Sequence, residues 1–165
     1  MHKKDVVYTF INIILAHFII SVFAGLVFGV THPLSFLYTE GQPYVFVIVS
    51  TLIAVPLYMI AGYLYVLGKN NLKGVSKTLL EAGFYFMLVL LVVYATCFVL
   101  VYYRIVTNAW VYYVLFNYPS ALAFNNISLK IDGQNLIFIL SAITPSLGFY
   151  VGGLIRYRFE KVRVR

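Results

Sequence analysis

Charged residues are scarce in this chain of 165 residues: they make up 10% of it, whereas soluble domains carry about 25%. Acids are the scarcest, because five Asp and Glu stand against twelve Lys and Arg. Hydrophobic residues reach 62%, which is more apolar surface than a soluble fold of this length buries. The composition excludes an ordinary soluble domain and predicts an integral membrane protein.

The residues of most catalytic and metal sites are also missing from the sequence. The single cysteine, Cys97, excludes an intramolecular disulfide, a CxxC redox pair and a cysteine metal cluster. None of the five acids is central in an apolar run, so the paired carboxylates of an intramembrane aspartyl protease have no counterpart. There is no phosphate loop and no dinucleotide fingerprint. These absences predict that the protein is not an enzyme and needs no cofactor or metal.

Four long apolar runs are what the sequence does have, each of 20 residues or more. They cover residues 6–30, 45–67, 79–103 and 136–155. A hydrocarbon core of about 30 Å is crossed by about 20 helical residues, and lipid offers the backbone no hydrogen-bond partner other than its own helix. The sequence therefore predicts an all-α bundle of four transmembrane helices, forming one transmembrane domain over residues 1–165.

The basic residues predict how this bundle is oriented. Ten of the twelve would share one side with both termini and the 68–78 loop, and only Arg104 and Lys130 would lie opposite. The ten are Lys3, Lys4, Lys69, Lys73, Lys77, Arg156, Arg158, Lys161, Arg163 and Arg165. Because Lys and Arg mark the cytoplasmic side, we expect a multi-pass cell-membrane protein with both termini in the cytoplasm. The net charge of +7 is then a topology signal, and no nucleic-acid partner is expected.

One further segment, residues 105–124, is apolar enough to suggest a fifth span. Only Arg104 separates it from the third run, which leaves no room for a turn, and a fifth span would put the basic tail outside. The prediction is instead an amphipathic segment over residues 109–116 at the outer interface. Trp110 and its neighbouring tyrosines suit this depth, because Trp and Tyr are enriched at membrane–water interfaces. The Tyr118–Pro119 step is expected to end it.

Polar side chains inside a membrane are costly, so they are the first candidates for function. The first run contains three of them: Asn12, His17 and Ser21. His17 and Ser21 are four residues apart and share a helix face. Two interpretations stay open, a site for a proton, a metal or a polar ligand at His17, or a neutral imidazole hydrogen-bonded between helices.

Small residues recur at every fourth position in two of the runs. They are Ser21, Gly25 and Gly29 in the first run, and Thr144, Gly148 and Gly152 in the fourth. Such stripes let helix backbones approach closely. The two stripes overlap in depth only at their Ser21 and Thr144 ends, so we expect them to serve different neighbours, within the bundle or on a partner.

A last group of candidates consists of cations able to contact lipid headgroups: Arg104, Arg156, Arg158, Lys161, Arg163 and Arg165. Together with the missing acid–base pairs, they favour a non-enzymatic protein whose partners are the lipid bilayer and either another membrane protein or a second copy of itself. In that case it is an accessory or regulatory subunit. The alternative is a transporter or channel for a small or lipophilic solute, working as an oligomer.

Overall fold

The structure, a computed structural model, describes residues 2–28, 43–67, 69, 72–117 and 139–163. Every regular element in these parts of the chain is a helix. The helices are α1 (His2–Phe28), α2 (Pro43–Leu67), α3 (Val75–Tyr102), α4 (Ala109–Phe116) and α5 (Ile139–Arg163). The predicted all-helical class is therefore confirmed for the described residues.

Three of these helices contain a segment long and apolar enough to cross a membrane. The segments are Lys3–Phe23 in α1, Val75–Tyr102 in α3 and Ile139–Glu160 in α5. In α2 the apolar segment Leu52–Leu67 is shorter. Large apolar side chains point outward from the bundle, such as Phe18 at 65% exposure and Val92 at 64%. Such a surface indicates a membrane-embedded protein, because exposing large apolar side chains to water is unfavourable.

Helices α2 and α3 pack against α5, which is the most buried of the three candidate spans, whereas α1 packs mainly against α3. Helix α2 runs parallel to α5, because Tyr58 lies beside Gly148 and Tyr63 beside Arg156. Helix α3 runs antiparallel to α5, with Leu79 against Gly153.

The core lies along one face of α3, where Leu79, Ala82, Phe86 and Leu90 recur at helical spacing and are almost fully buried. This face packs against buried residues of the other long helices: Val6, Ile13, Val66, Ala142 and Phe149. A smaller cluster of Ile20, Ala54 and Tyr58 joins α1 to α2.

The small-residue stripe of α5 packs against α2, within the bundle. A Cβ atom on Gly148 would lie 2.7 Å from Tyr58 Cβ and 3.0 Å from the Val55 carbonyl oxygen. A Cβ atom on Gly152 would overlap the backbone of Met59. From the other side Gly62, which the sequence reading did not single out, faces the backbone of Phe149 in the same way. Missing side chains on both helices thus let the two backbones touch.

Helix α3 ends in a tight turn around Arg104, whose φ of 55° is left-handed. The N–H of Arg104 donates to Val101 O at 3.0 Å, and the N–H of Ile105 donates to Leu100 O at 2.9 Å. These two bonds form a Schellman motif, in which the left-handed position is usually glycine. The expectation that no turn fits here is therefore wrong: the chain reverses, and α4 returns along α3. Helix α4 itself, with eight residues, is too short to cross a bilayer.

The fourth run continues as a helix beyond its predicted end at residue 155. Helix α5 extends to Arg163, so much of the basic tail is helical. Arg156 forms an ion pair with Glu160, one turn further along, and donates to Tyr63 Oη at 3.1 Å. Side-chain pairs at this spacing support a helix where it leaves the apolar core.

The contact between α2 and α5 yields a prediction about single methyl groups. Gly152→Ala places a Cβ atom into the backbone of Met59, so we expect a loss of about 1–3 kcal/mol and a lower melting temperature in detergent. The matched control is Gly83→Ala, whose Cβ atom would lie at an ordinary 3.7 Å from Ser146 O. The two variants melting at the same temperature would contradict the packing described here.

Candidate functional site

His17 lies in the middle of α1 and is buried at the junction of three helices. Its Nδ1 is 2.9 Å from Tyr58 Oη of α2, and its Nε2 is 2.8 Å from the Phe116 carbonyl oxygen at the end of α4. A carbonyl oxygen only accepts, so Nε2 carries the hydrogen and donates it. In the neutral ring Nδ1 then accepts a hydrogen bond from the Tyr58 hydroxyl, so both nitrogens are satisfied.

Aromatic rings hold the His17 imidazole in this orientation. The Phe86 ring meets it edge-on at a centroid distance of 5.1 Å, and the Tyr58 ring stacks on it at 5.8 Å. Phe86 belongs to the core face of α3. The side chain is therefore fixed by contacts with α2, α3 and α4 together.

A second buried polar cluster joins α4 to α5. Tyr113 Oη and Ser141 Oγ are 2.6 Å apart, and Asn117 Nδ2 donates to Tyr113 Oη at 3.0 Å and to Ser141 O at 2.8 Å. The N–H of Asn117 also donates to Tyr113 O at 2.8 Å, which closes the last turn of α4. Asn117 thus holds the carboxyl end of this short helix against α5.

Aromatic contacts fasten the other side of α4 to α3. The Tyr94 ring lies 5.3 Å from the Trp110 ring and 5.4 Å from the Tyr113 ring, measured between centroids. Trp110 also meets Phe98 edge-on at 6.4 Å. Trp110 and Tyr113 are almost completely buried, so α4 is packed by its largest side chains.

The position of α4 corrects the sequence-based prediction. The helix is present over the predicted residues, but one of its faces is buried in the bundle: Trp110 and Tyr113 are almost fully buried, whereas Tyr112 and Phe116 are exposed. It leaves the end of α3, packs inward past Tyr94, and ends beside His17 at mid-bundle. Trp110 and the tyrosines suit an interface, but they also suit an enclosed aromatic cluster, which is the environment found here.

The three polar candidates of α1 do not converge on one point. Asn12 Nδ2 donates to Tyr8 O of its own helix at 2.8 Å, near the exposed side. Five residues separate Asn12 from His17, so their side chains diverge by about 140° around the axis. Ser21 Oγ is buried and has no hydrogen-bond partner among the described residues. Gly29 and the surroundings of Gly25 lie outside the described part of the chain.

The candidate headgroup cations divide into two groups. Arg104 and Arg158 are exposed, whereas the Arg156 side chain, 17% exposed, is occupied by Glu160 and Tyr63. Three further candidates have side chains outside the described residues: Lys161, Arg163 and Arg165. Arg158 is therefore the described tail cation best placed to meet a lipid.

The described residues contain no group of three or more His, Cys, Asp and Glu side chains able to hold a metal ion. Cys97 is a buried free thiol. The donors and acceptors of His17, Tyr58, Tyr113 and Ser141 are engaged with one another and with backbone carbonyls, an arrangement that joins helices. No known protein family, characterised protein or solved structure matches this chain.

The bridging role of His17 yields a prediction. His17→Leu leaves the Tyr58 hydroxyl and the Phe116 carbonyl oxygen buried without their partner, at about 1–3 kcal/mol for each group. We expect a clear fall in the melting temperature in detergent. Combined with Tyr58→Phe, His17→Leu should cost less than the sum of the two single changes, because both remove the same hydrogen bond.

The control for this prediction is Asn12→Leu, on the same helix. Its side chain bonds only to its own backbone near the exposed side, so the melting temperature should change little. Equal effects of the two leucine variants would mean that the His17 bridge does not stabilise the bundle.

Proposed function

We propose that this chain is a four-span cell-membrane protein with cytoplasmic termini that acts without enzymatic chemistry. Its role is that of an accessory or regulatory subunit, exerted through contacts with another membrane protein, a second copy of itself or lipid. The supporting observation is how the interior polar groups are used. His17 is the one described histidine with a buried ring. Both of its ring nitrogens form hydrogen bonds, one to α2 and one to α4, and so link these helices to α1.

An interior used in this way leaves the outer surface as the part of the protein available to other molecules. That surface is apolar along the bundle, with Leu15, Phe18 and Val92 among its large exposed side chains. Exposed cations lie at the end of the bundle where α3 begins, including Lys77 and Arg158. Such a surface fits lateral contacts in a membrane and an anionic inner leaflet.

The directions of the helices support the four-span path. The bonds from Thr9 to Tyr65 and from His17 to Tyr58 make α1 antiparallel to α2, and α3 is antiparallel to α5. Up and down helices therefore alternate along the chain, as four crossings require. Ten of the twelve basic residues then share the cytoplasmic side with both termini. Reporter fusions at Asn70 and Asn126 that report the same side would contradict this orientation.

A transporter or channel is the second candidate, and one observation favours it. Helix α4 is a half-length helix that ends in mid-bundle, and Asn117 Oδ1 at that end is buried with no hydrogen-bond partner among the described residues. Broken helices of this kind line solute sites in transporters. A path there would run past His17 but not past Asn12, whose side chain lies on another face of α1, with Pro56 and Pro145 in the neighbouring helices.

Reconstitution separates the two functions. For an accessory protein we expect proteoliposomes to pass protons, monovalent ions and a lipophilic cation no faster than protein-free liposomes. Purification in mild detergent should recover a membrane protein or lipid at a fixed ratio to the chain. Flux above the protein-free level that His17→Asn abolishes while the protein stays folded would instead establish the transporter.

A further inference from the structure

An apolar groove runs along the outside of the bundle between α3 and α5. It has a volume of about 140 Å³ and is lined by Leu80, Gly83 and Phe84 of α3 and by Ser146, Leu147 and Tyr150 of α5. Gly83 leaves space in the groove: a Cβ atom there would lie 3.7 Å from Ser146 O, at ordinary contact distance. Its rims, Leu80, Phe84 and Leu147, are each more than half exposed, so it opens away from the core.

Two cations stand at the end of the groove nearest the start of α3. Lys77 precedes Phe84 by two helical turns, and Arg158 follows Leu147 by three, so both lie on the groove's side of their helices. Leu79 packs against Gly153, and the two helices are antiparallel. Lys77 and Arg158 are therefore within about 5–9 Å of the same height, judged from the helical rise and from the contacts of Leu79 with Gly153 and of Gly83 with Ser146.

We propose that this groove binds one acyl chain of an anionic phospholipid of the inner leaflet, whose phosphate lies between Lys77 and Arg158. The proposal rests on the cytoplasmic orientation given above and names the lipid contact of the accessory role. With a volume of about 140 Å³, the groove takes a segment of a single hydrocarbon chain more readily than a helix, which is about 10 Å across. The positive charge at one end only matches the single charged end of a lipid.

Glu81 gives the site an internal competitor. Its Oε1 is 3.7 Å from Nζ of Lys77, so a bound phosphate shares Lys77 with this carboxylate. Removing the Glu81 charge therefore strengthens lipid binding, whereas removing Lys77 or Arg158 weakens it. A groove that took up chains by its apolar lining alone would respond to none of the three changes.

Native mass spectrometry of the full chain, purified and supplied with either phosphatidylglycerol or phosphatidylcholine, tests the groove. We expect one phosphatidylglycerol to be retained at least tenfold more strongly than phosphatidylcholine. Gly83→Leu fills the groove and should abolish retention of both lipids. Ala95→Leu, which adds three carbons where Gly83→Leu adds four, is at an exposed site of α3 about 18 Å away along the axis and should leave retention unchanged.

The charge variants test the headgroup contact at sites where folding is not at risk. Lys77→Gln and Arg158→Gln should each reduce the preference for phosphatidylglycerol about fivefold, and Glu81→Gln should raise it. Retention by Gly83→Leu equal to that of Ala95→Leu, or a preference unmoved by all three charge variants, would overturn the proposal. So would a Gly83→Leu variant that loses self-association but keeps its lipid, since the groove would then hold a second copy of this chain. Flux through proteoliposomes would refute the accessory function and leave this lipid site standing, so the two failures are distinguishable.

Discussion

The bundle depends on a hydrogen-bonded histidine in an environment without water. Inside lipid or packed protein, a polar group cannot form a hydrogen bond to water. Each such group therefore forms a hydrogen bond to the protein or destabilises the fold. His17 meets this constraint with two partners on two other helices, Tyr58 Oη and the Phe116 carbonyl oxygen. The carbonyl at the end of α4 would otherwise be one of the unsatisfied groups that every helix end leaves. One imidazole thus satisfies a helix end and sets the positions of three helices.

Close packing of backbones complements this polar contact. Apolar side chains gain little by leaving lipid for a protein interior, so helix association relies on van der Waals fit and on interhelical hydrogen bonds. Glycines supply the fit between α2 and α5, through Gly62, Gly148 and Gly152. Around α4 the helices are held by hydrogen bonds instead, in which Tyr113, Asn117 and Ser141 join the short helix to α5. Close packing at glycines thus joins the two long helices that run side by side, and hydrogen bonds hold the short helix in place.

Much of this fold follows from local sequence, and the rest does not, for a physical reason. Runs of 20 or more apolar residues predict long helices because the backbone must bond to itself, and the bounds of α4 followed from the same apolar pattern with a proline beyond it. The location of α4 did not follow, because its partners Tyr94, His17 and Ser141 are distant in sequence and no spacing rule connects them. The turn at Arg104 was missed because a left-handed position there is normally announced by glycine. Gly62 was missed because the positions four residues before and after it are Tyr58 and Val66, so it belongs to no small-residue stripe.

The central claim, that His17 joins α1, α2 and α4 as a neutral bridge, is tested most directly by solid-state NMR in lipid bilayers. The chain has three histidines, so a sample labelled with nitrogen-15 in histidine and carbon-13 in phenylalanine carbonyls gives few ring signals. For His17 we predict a neutral ring with its hydrogen on Nε2, a bare Nδ1 accepting a hydrogen bond, and magnetisation transfer from Nε2 to the Phe116 carbonyl carbon. A ring with its hydrogen on Nδ1, or no transfer to Phe116, would contradict the account.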